Sequence, residues 1–281
     1  MLHKIGFKFY FTYFSERGSV LEYMLNFFVS GFVYPGILWD QLLIGIGLGI
    51  VFGAIWYATY WTPILGKPWP WAVLISSIIL SWTAVAFIQI PLQIWTGQAL
   101  NFFWSQEIIM RFLLIAGIPQ ILLSGLVQEG SKLVPVVIYW WRKGRNINPK
   151  LGLVIGAIAG LGFGTFEAVW VHNLTFISGW SLQTAESTGL MVALIPFWER
   201  FFLVSFHAAS SAIAGWGLAK GWGWQFYLLT SFTHGIINYG VAIFRIGAIN
   251  QVQLSIYVVA WALIVTAVAL WLRWKKQKVV A

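Results

Sequence analysis

Long apolar runs follow one another along most of the chain, and the short stretches between them hold most of the charged residues. The runs are continuous and do not alternate with a period of two, so they indicate α-helices and not the strands of a membrane barrel. Several exceed 18 residues, the length at which an apolar stretch becomes a candidate membrane span. We therefore predict an all-α, polytopic bundle of transmembrane helices that forms one integral membrane domain over residues 1–281.

The lengths of the runs and the polar stretches between them predict about eight spans. Their ranges are 19–38, 41–61, 69–95, 108–141, 150–172, 196–219, 222–246 and 254–272. The fourth range is too long for one helix perpendicular to the bilayer, because each helical residue adds ~1.5 Å. A break is expected at Pro119 or in the region of Gly125.

Glycines recur at every fourth position of the fifth predicted span. Such a stripe leaves one helix face without side chains and allows a neighbouring helix to approach closely. We expect this contact to hold Glu167, which follows the stripe, rigidly against another helix. The glycines are Gly152, Gly156, Gly160 and Gly164.

Composition agrees with a membrane protein, since 59% of the residues are hydrophobic and 9% are charged, against about 25% charged in soluble domains. The net charge is +9, and the basic residues cluster in short loops and tails, as in cytoplasmic segments of membrane proteins. Membrane topology therefore explains the net positive charge, and we expect no nucleic-acid partner. Zero cysteines exclude disulfides and Cys-ligated zinc.

An even number of spans places both termini on the same side of the membrane, and the basic residues of the loops and tail place that side in the cytoplasm. Residues 1–18 then form an interfacial N-terminal arm, which lacks the cleavage site of a signal peptide, and residues 273–281 form a basic cytoplasmic tail. The small size and the single domain favour the plasma membrane of a prokaryote.

A few polar residues lie deep inside the predicted spans, where each ionisable group costs about 2.5–3.5 kcal/mol and marks function by default. They are Glu129, Lys132, Glu167, His207, His234 and Asn238. The helical rise places several of them near the middle of the membrane. We expect one polar pocket, opening more easily toward the outer face.

The spacing of these residues suggests chemistry. Glu129 and Lys132 are three residues apart and share a helix face, so the ammonium can neutralise the carboxylate. A buried carboxylate beside a histidine of another helix suits the activation of water. His234 and Asn238 are four residues apart, and an imidazole beside an amide suits stabilisation of an oxyanion. Taken singly, each residue has a simpler explanation as a structural hydrogen-bond or ion-pair partner.

Four short motifs occur in order on separate predicted helices. QEGSK holds Gln128, Glu129 and Lys132; FGTFE holds Phe163 and Glu167; ERFFLVSFH holds Arg200 and His207; and THGIIN holds His234 and Asn238. Over about 120–240 this order resembles the PrsW family of glutamate-dependent intramembrane proteases. That family is related to the CAAX-processing and bacteriocin-processing proteases, whose HxxxN motif the last segment also matches.

The resemblance implies an enzyme without a cofactor that hydrolyses a peptide bond of a membrane-anchored protein, in or near the outer half of the bilayer. It implies that Glu129 and His207 activate water, and that Glu167 orients a histidine or shares the proton. His234 and Asn238 would hold the carbonyl oxygen. Supporting roles fall to Gln128, Lys132, Arg200 and Phe163.

One residue departs from the family pattern, which begins with two adjacent glutamates where this chain has Gln128. Because an amide cannot act as a base, a catalytically inactive pseudoprotease that binds transmembrane segments is one alternative. A proton-coupled transporter that uses the buried charges as a relay is another. Zinc is a further alternative, since Glu129, His207 and His234 supply the ligand types of catalytic zinc.

Overall fold

The computed structural model describes residues 19–60 and 66–275, and throughout these ranges the secondary structure is helical. The helices are α1 Val20–Ser30, α2 Trp39–Tyr60, α3 Pro68–Ala84, α4 Ile90–Phe103, α5 Gln106–Arg111, α6 Leu113–Ala116, α7 Ile118–Arg142, α8 Pro149–Ile177, α9 Leu182–Thr188, α10 Leu190–Ala193, α11 Ile195–Ala219, α12 Gly223–Arg245 and α13 Gln251–Trp274. The all-α prediction is confirmed for this part of the chain. The predicted arm at 1–18 and residues 276–281 of the predicted tail lie outside the described residues.

Six helical segments in the described ranges are long and apolar enough to cross a membrane, which makes the chain a multi-pass integral membrane protein. They are Trp39–Tyr60, Pro68–Phe103, Leu113–Arg142, Pro149–Ile177, Ile195–Ala219 and Gln251–Trp274. Helices also occur at the first and seventh predicted spans. Of these, α1 has 11 residues and α12 has 23 residues with a more polar sequence.

The third predicted span continues further than expected, to Phe103, and contains a π-helical turn at Val85–Gln89. A π turn adds a residue to the helix and so rotates the faces that follow it. Pro91 lies two residues after the turn, where its missing N–H is tolerated because the regular hydrogen-bond ladder is already interrupted. The turn ends in Gln89, which is buried and reaches α7.

The fourth predicted span is broken, as its length required. The short helices α5 and α6 precede α7, with interruptions at Phe112 and at Gly117, two residues before Pro119. The break expected near Gly125 is wrong, because α7 is continuous there. Gly125 instead allows α12 to pass close by, since a Cβ at this position would lie 2.2 Å from the backbone oxygen of Ser231.

The central helices are α8 and α11, since 78% of the apolar window of each is buried, against 22% in α2. Their backbones touch along the predicted glycine stripe. A Cβ at Gly156 would lie 2.0 Å from the Ser211 oxygen, and one at Gly160 would lie 1.9 Å from the His207 oxygen. The stripe is therefore a contact surface, and it fixes the height at which His207 faces α8.

Candidate active site

Five of the deep polar residues, from α7, α8, α11 and α12, meet in one continuous series of hydrogen bonds, which we call the polar relay. Glu167 Oε2 lies 3.0 Å from His207 Nε2, and His207 Nδ1 lies 3.0 Å from Lys132 Nζ. Lys132 Nζ lies 2.6 Å from Glu129 Oε1, which His234 Nδ1 also contacts at 2.8 Å. The relay thus joins two carboxylates through an ammonium and an imidazole.

The Glu129 end of the relay is sealed from solvent. Glu129 and Lys132 are both fully buried, and they share one face of α7 because they are three residues apart. The second carboxylate oxygen, Oε2, accepts a hydrogen bond from Ser210 Oγ at 3.0 Å. Glu129 therefore accepts from three side chains, which compensates its burial.

Sequence reasoning overlooked Ser210. Its hydroxyl contacts Glu129 and lies 3.4 Å from Lys132 Nζ. The signal that could have found it is spacing, since Ser210 follows His207 by three residues and so lies on the same face of α11.

The contacts of His207 define the direction of its hydrogen bonds. An ammonium has only donors, so Lys132 donates to Nδ1 of His207, which must accept. In the neutral imidazole the proton then lies on Nε2, which donates to Glu167 Oε2. Both ring nitrogens are thereby used, and His207 in this arrangement holds Glu167 in place. The ring of Phe163 packs edge-on against this imidazole, with ring centroids 5.1 Å apart.

The Glu167 end of the relay is partly open. The Glu167 side chain is 19% exposed, and its Oε2 lies 3.5 Å from Arg200 Nη1. Arg200 also pairs with Glu199 at 3.0 Å, so its guanidinium is fixed beside the carboxylate. Both neighbours of Glu167 contact the same oxygen, Oε2. A carboxylate with one engaged oxygen and access from outside can still accept a proton from water.

Two of the predicted site residues lie beside the relay and outside it. Asn238 shares a face of α12 with His234, but its Nδ2 donates to Ser124 Oγ at 2.7 Å. Gln128 donates through Nε2 to Gln89 Oε1 at 3.1 Å. Both residues line a cavity of about 520 Å³.

The cavity lies at one end of the bundle, between α4, the C-terminal parts of α8 and α12, and the N-terminal parts of α7 and α11. These are the ends that the predicted topology directs outward. Five of its lining residues are glutamines, of which sequence reasoning considered only Gln128. The signal for the others was an uncharged amide inside an apolar run, as at Gln89 and Gln93, which are four residues apart.

Glu129, His207 and His234 each offer a ligand atom, and these atoms lie within 4.8 Å of one another. Carboxylate and imidazole are ligand types of catalytic zinc, which binds imidazole nitrogen at ~2.0–2.1 Å. However, Lys132 Nζ lies within 2.6 Å of the Glu129 donor and 3.0 Å of the His207 donor. The three residues therefore form a candidate metal site, in which the ammonium of Lys132 holds one lone pair of Glu129 and one of His207.

Comparison with known proteins agrees with the resemblance noted in the motifs. Residues 67–269 match the family described as PrsW family intramembrane metalloprotease. No curated protein and no solved structure matches the chain at a significant level. The matched range is more than half of the 281 residues, extends on both sides of 120–240, and contains the whole polar relay and the glutamines of the cavity. The chain therefore belongs to the PrsW family of intramembrane metalloproteases.

Proposed function

We propose that this protein hydrolyses a peptide bond of a membrane-anchored protein, in the half of the bilayer that holds the cavity, with Glu167 as the base that activates water. The observation that carries the proposal is the difference between the two carboxylates of the relay. Glu129 is fully buried and accepts from three side chains, whereas Glu167 is 19% exposed and accepts on one oxygen. Only the second is in a position to receive a proton from outside.

This assignment differs from the one that the resemblance implied, in which Glu129 and His207 activate water. With Nδ1 of His207 accepting from Lys132, the imidazole has no free lone pair for a water proton. We assign His207 as a positioning residue, because it donates to Glu167 and fixes its orientation. Glu129 anchors Lys132 and His234 at the buried end.

The reaction proceeds in two proton transfers. The water oxygen attacks the scissile carbonyl carbon while Glu167 takes one of its protons. The C–N bond then breaks, and the proton passes from Glu167 to the leaving nitrogen, which restores the carboxylate. The negative charge that develops on the carbonyl oxygen needs fixed donors. Arg200 and Asn238 both line the cavity and supply them.

The family description names a metalloprotease, and in a metal-bound form the ion would compete with Lys132 for lone pairs of Glu129 and His207. In such a form Glu129, His207 and His234 would be the ligands, and the ion would supply Lewis-acid chemistry. The mechanism above uses the side chains alone. A chelator therefore separates the two arrangements.

We propose further that the chain crosses a prokaryotic plasma membrane eight times with both termini in the cytoplasm. The 23 residues of α12 extend ~35 Å at 1.5 Å per residue, and its polar side chains explain why it is less apolar than the other spans. The 11 residues of α1 complete an eighth span only together with the flanking chain. Because the natural chain has no cysteine, single cysteines introduced at each terminus can be tested with a membrane-impermeant maleimide.

Cleavage by the purified protein in liposomes tests the proposed reaction. A panel of single-pass membrane proteins is incubated with wild type, Glu167→Gln and Gln128→Glu, each with and without a zinc chelator. We expect cleavage to fall by about 100-fold or more in Glu167→Gln, as for loss of a general base, and the chelator to have no effect. Glu186→Gln is the control, since Glu186 is exposed on α9 and outside the site.

Three outcomes would contradict the proposal. Undiminished cleavage by Glu167→Gln would remove Glu167 from the chemistry. Loss of cleavage with chelator, restored by added zinc, would favour the metal-bound arrangement. Activity found only in Gln128→Glu would identify the natural chain as a pseudoprotease that binds transmembrane segments.

A further inference from the structure

We propose that the cavity binds the main chain of an unwound, extended segment of the substrate through its glutamine amides, with Gln128 accepting a hydrogen bond from a peptide N–H. The inference rests on the proposed function and narrows its substrate class. The substrate would be a membrane-anchored protein with a stretch in the outer half of its span that holds a helix poorly.

The lining of the cavity is unusual for the interior of a membrane protein. Its volume of about 520 Å³ is typical of pockets that enclose a small ligand, ~300–1,000 Å³, and suits a short piece of peptide. Ten of its nineteen lining residues are polar or charged, and five of these are glutamines. They are Gln89, Gln93, Gln98, Gln120 and Gln128.

A peptide bond inside a membrane can be hydrolysed only where its helix is opened, and the freed N–H and C=O groups then have no water to bind. Each such group left unpaired costs free energy. A primary amide offers both donors and an acceptor, so it can pair with either backbone group. A row of amides therefore matches an extended main chain irrespective of its side chains.

The amides form a ladder with a defined direction. Gln93 Nε2 donates to the backbone oxygen of Gln120 at 2.9 Å, and Gln89 Nε2 lies 3.4 Å from Gln93 Oε1. At the end nearest the relay, Gln128 Nε2 donates to Gln89 Oε1 at 3.1 Å. The donor of Gln128 is thus used within the ladder, which leaves its oxygen as the acceptor.

The Gln128 Oε1 atom points to a ligand independently of the composition of the cavity lining. Gln128 is 7% exposed, and its Oε1 is buried with no hydrogen-bond partner within the described ranges 19–60 and 66–275. A buried acceptor without a partner destabilises the protein. A hydrogen bond from a peptide N–H to this oxygen should therefore contribute more binding free energy than an ordinary hydrogen bond. Arg200 lines the same cavity and lies 3.5 Å from Glu167 Oε2, which brings a bound segment next to the open end of the polar relay.

The same geometry accounts for glutamine at this position. Because Gln89 Oε1 lies 3.1 Å from Gln128 Nε2, a glutamate at 128 would set one acceptor against another. The amide supplies the donor that holds the ladder together. Gln128 is then a residue that binds the substrate main chain, and its presence does not indicate a lost base.

The experiment uses two fluorescent single-span peptides of about 20 residues, bound to the protein in lipid nanodiscs. One is a continuous Leu/Ala helix, and the other has a Gly/Ser/Asn stretch in its outer half. Affinity is measured by anisotropy with Glu167→Gln, so that hydrolysis does not consume the peptide. We expect the interrupted peptide to bind about tenfold more tightly, and Gln128→Leu to lower its affinity about three- to tenfold. Gln183→Leu, at an exposed position of α9, is the control.

A second measurement detects the same hydrogen bond from the side of the peptide, with the natural Gln128 in place. In the interrupted peptide each peptide bond is replaced in turn by an ester, which removes the N–H and keeps the shape. One ester is expected to weaken binding about three- to tenfold, and that loss should vanish in Gln128→Leu. Equal affinity for both peptides, or no ester with an effect, would overturn the inference.

The two proposals fail in different ways. Cleavage of both peptides by the wild-type protein is followed in parallel by mass spectrometry. If the protein prefers the interrupted peptide but the wild type never cuts it, the proposed function is refuted and the binding site still holds. Wild-type protein that cuts both peptides equally well would refute the binding site and leave the protease standing.

Discussion

The two ends of the polar relay hold the same kind of group in opposite surroundings. Glu129 is fully buried, and both its oxygens accept hydrogen bonds from neighbouring side chains. Glu167 is 19% exposed, and His207 and Arg200 both contact a single oxygen. In the sequence the two glutamates look alike, since each is a lone carboxylate in an apolar span.

The difference shows what separates an anchor from a reactive group. A buried carboxylate is tolerated only when donors replace its lost hydration, and those donors then occupy the lone pairs that a reaction needs. At Glu129 the replacement is complete. At Glu167 it is partial, since the contacts among the described residues involve only Oε2. Removing groups at the sealed end should therefore affect stability more than activity, and removing groups at the open end should affect activity more than stability.

The largest expected effect comes from removing the ammonium at the sealed end. Lys132→Met leaves Glu129 buried without its closest partner, 2.6 Å away. Breaking a buried ion pair from one side costs about 3–5 kcal/mol. We expect the free energy of unfolding in detergent, followed by tryptophan fluorescence, to fall by that amount.

The matched control is Lys143→Met, which removes a lysine from an exposed position after α7 and should change stability little. Equal stability of Lys132→Met and wild type would contradict the distinction between the two ends, because it would mean that the burial of Glu129 does not require the ammonium.

A smaller effect is expected where the helices that carry the open end touch. In Gly160→Ala the added methyl would lie 1.9 Å from the backbone oxygen of His207, so α8 and α11 must separate. Such overpacking costs about 1–3 kcal/mol, and it should lower cleavage as well, since His207 and Glu167 lie on the two separating helices.

Gly47→Ala is the control for this change, because Gly47 is an exposed glycine within α2 whose Cβ would meet no atom within 4 Å. The unfolding free energy and the cleavage rate of both variants are compared in one preparation. Wild-type values for Gly160→Ala would show that the backbone contact is dispensable.

The smallest effect is expected from Ser210→Ala, which removes one of the three donors to Glu129. Because Glu129 keeps its other two donors, we expect the low end of the range for a hydrogen bond to a charged group, a loss of about 1.5 kcal/mol in unfolding free energy, with cleavage close to normal. The neighbouring Ser211→Ala is a close control, since Ser211 Oγ is buried without a partner among the described residues. A large loss of cleavage in Ser210→Ala alone would indicate that the sealed end takes part in the reaction.

Much of the fold could be predicted from the sequence because it follows from local chemistry. Apolar runs become helices, Pro119 follows the break in the fourth span, and the glycine stripe becomes the contact between α8 and α11. The deep ionisable residues could be found because each is costly in a membrane and therefore rare.

The partners within the site could not be predicted, because they depend on how the helices rotate against one another. Spacing paired Asn238 with His234, but in the structure Asn238 contacts Ser124 instead. The π turn at Val85–Gln89 carried no recognised sequence signal, although it precedes the glutamine ladder. Uncharged amides such as Gln120 disturb an apolar run too little to attract notice, and so the cavity lining was missed.

The direct backbone contact between α8 and α11 has a consequence for how the protein responds to its lipids. With no layer of side chains between them at Gly156 and Gly160, the two helices have nothing to repack and should tilt as one body when the bilayer thins or thickens. The cavity is enclosed in part by α4 and α12, whose amide side chains can change rotamer. Membrane thickness should therefore alter how firmly a substrate segment is held more than how fast its bond is cut.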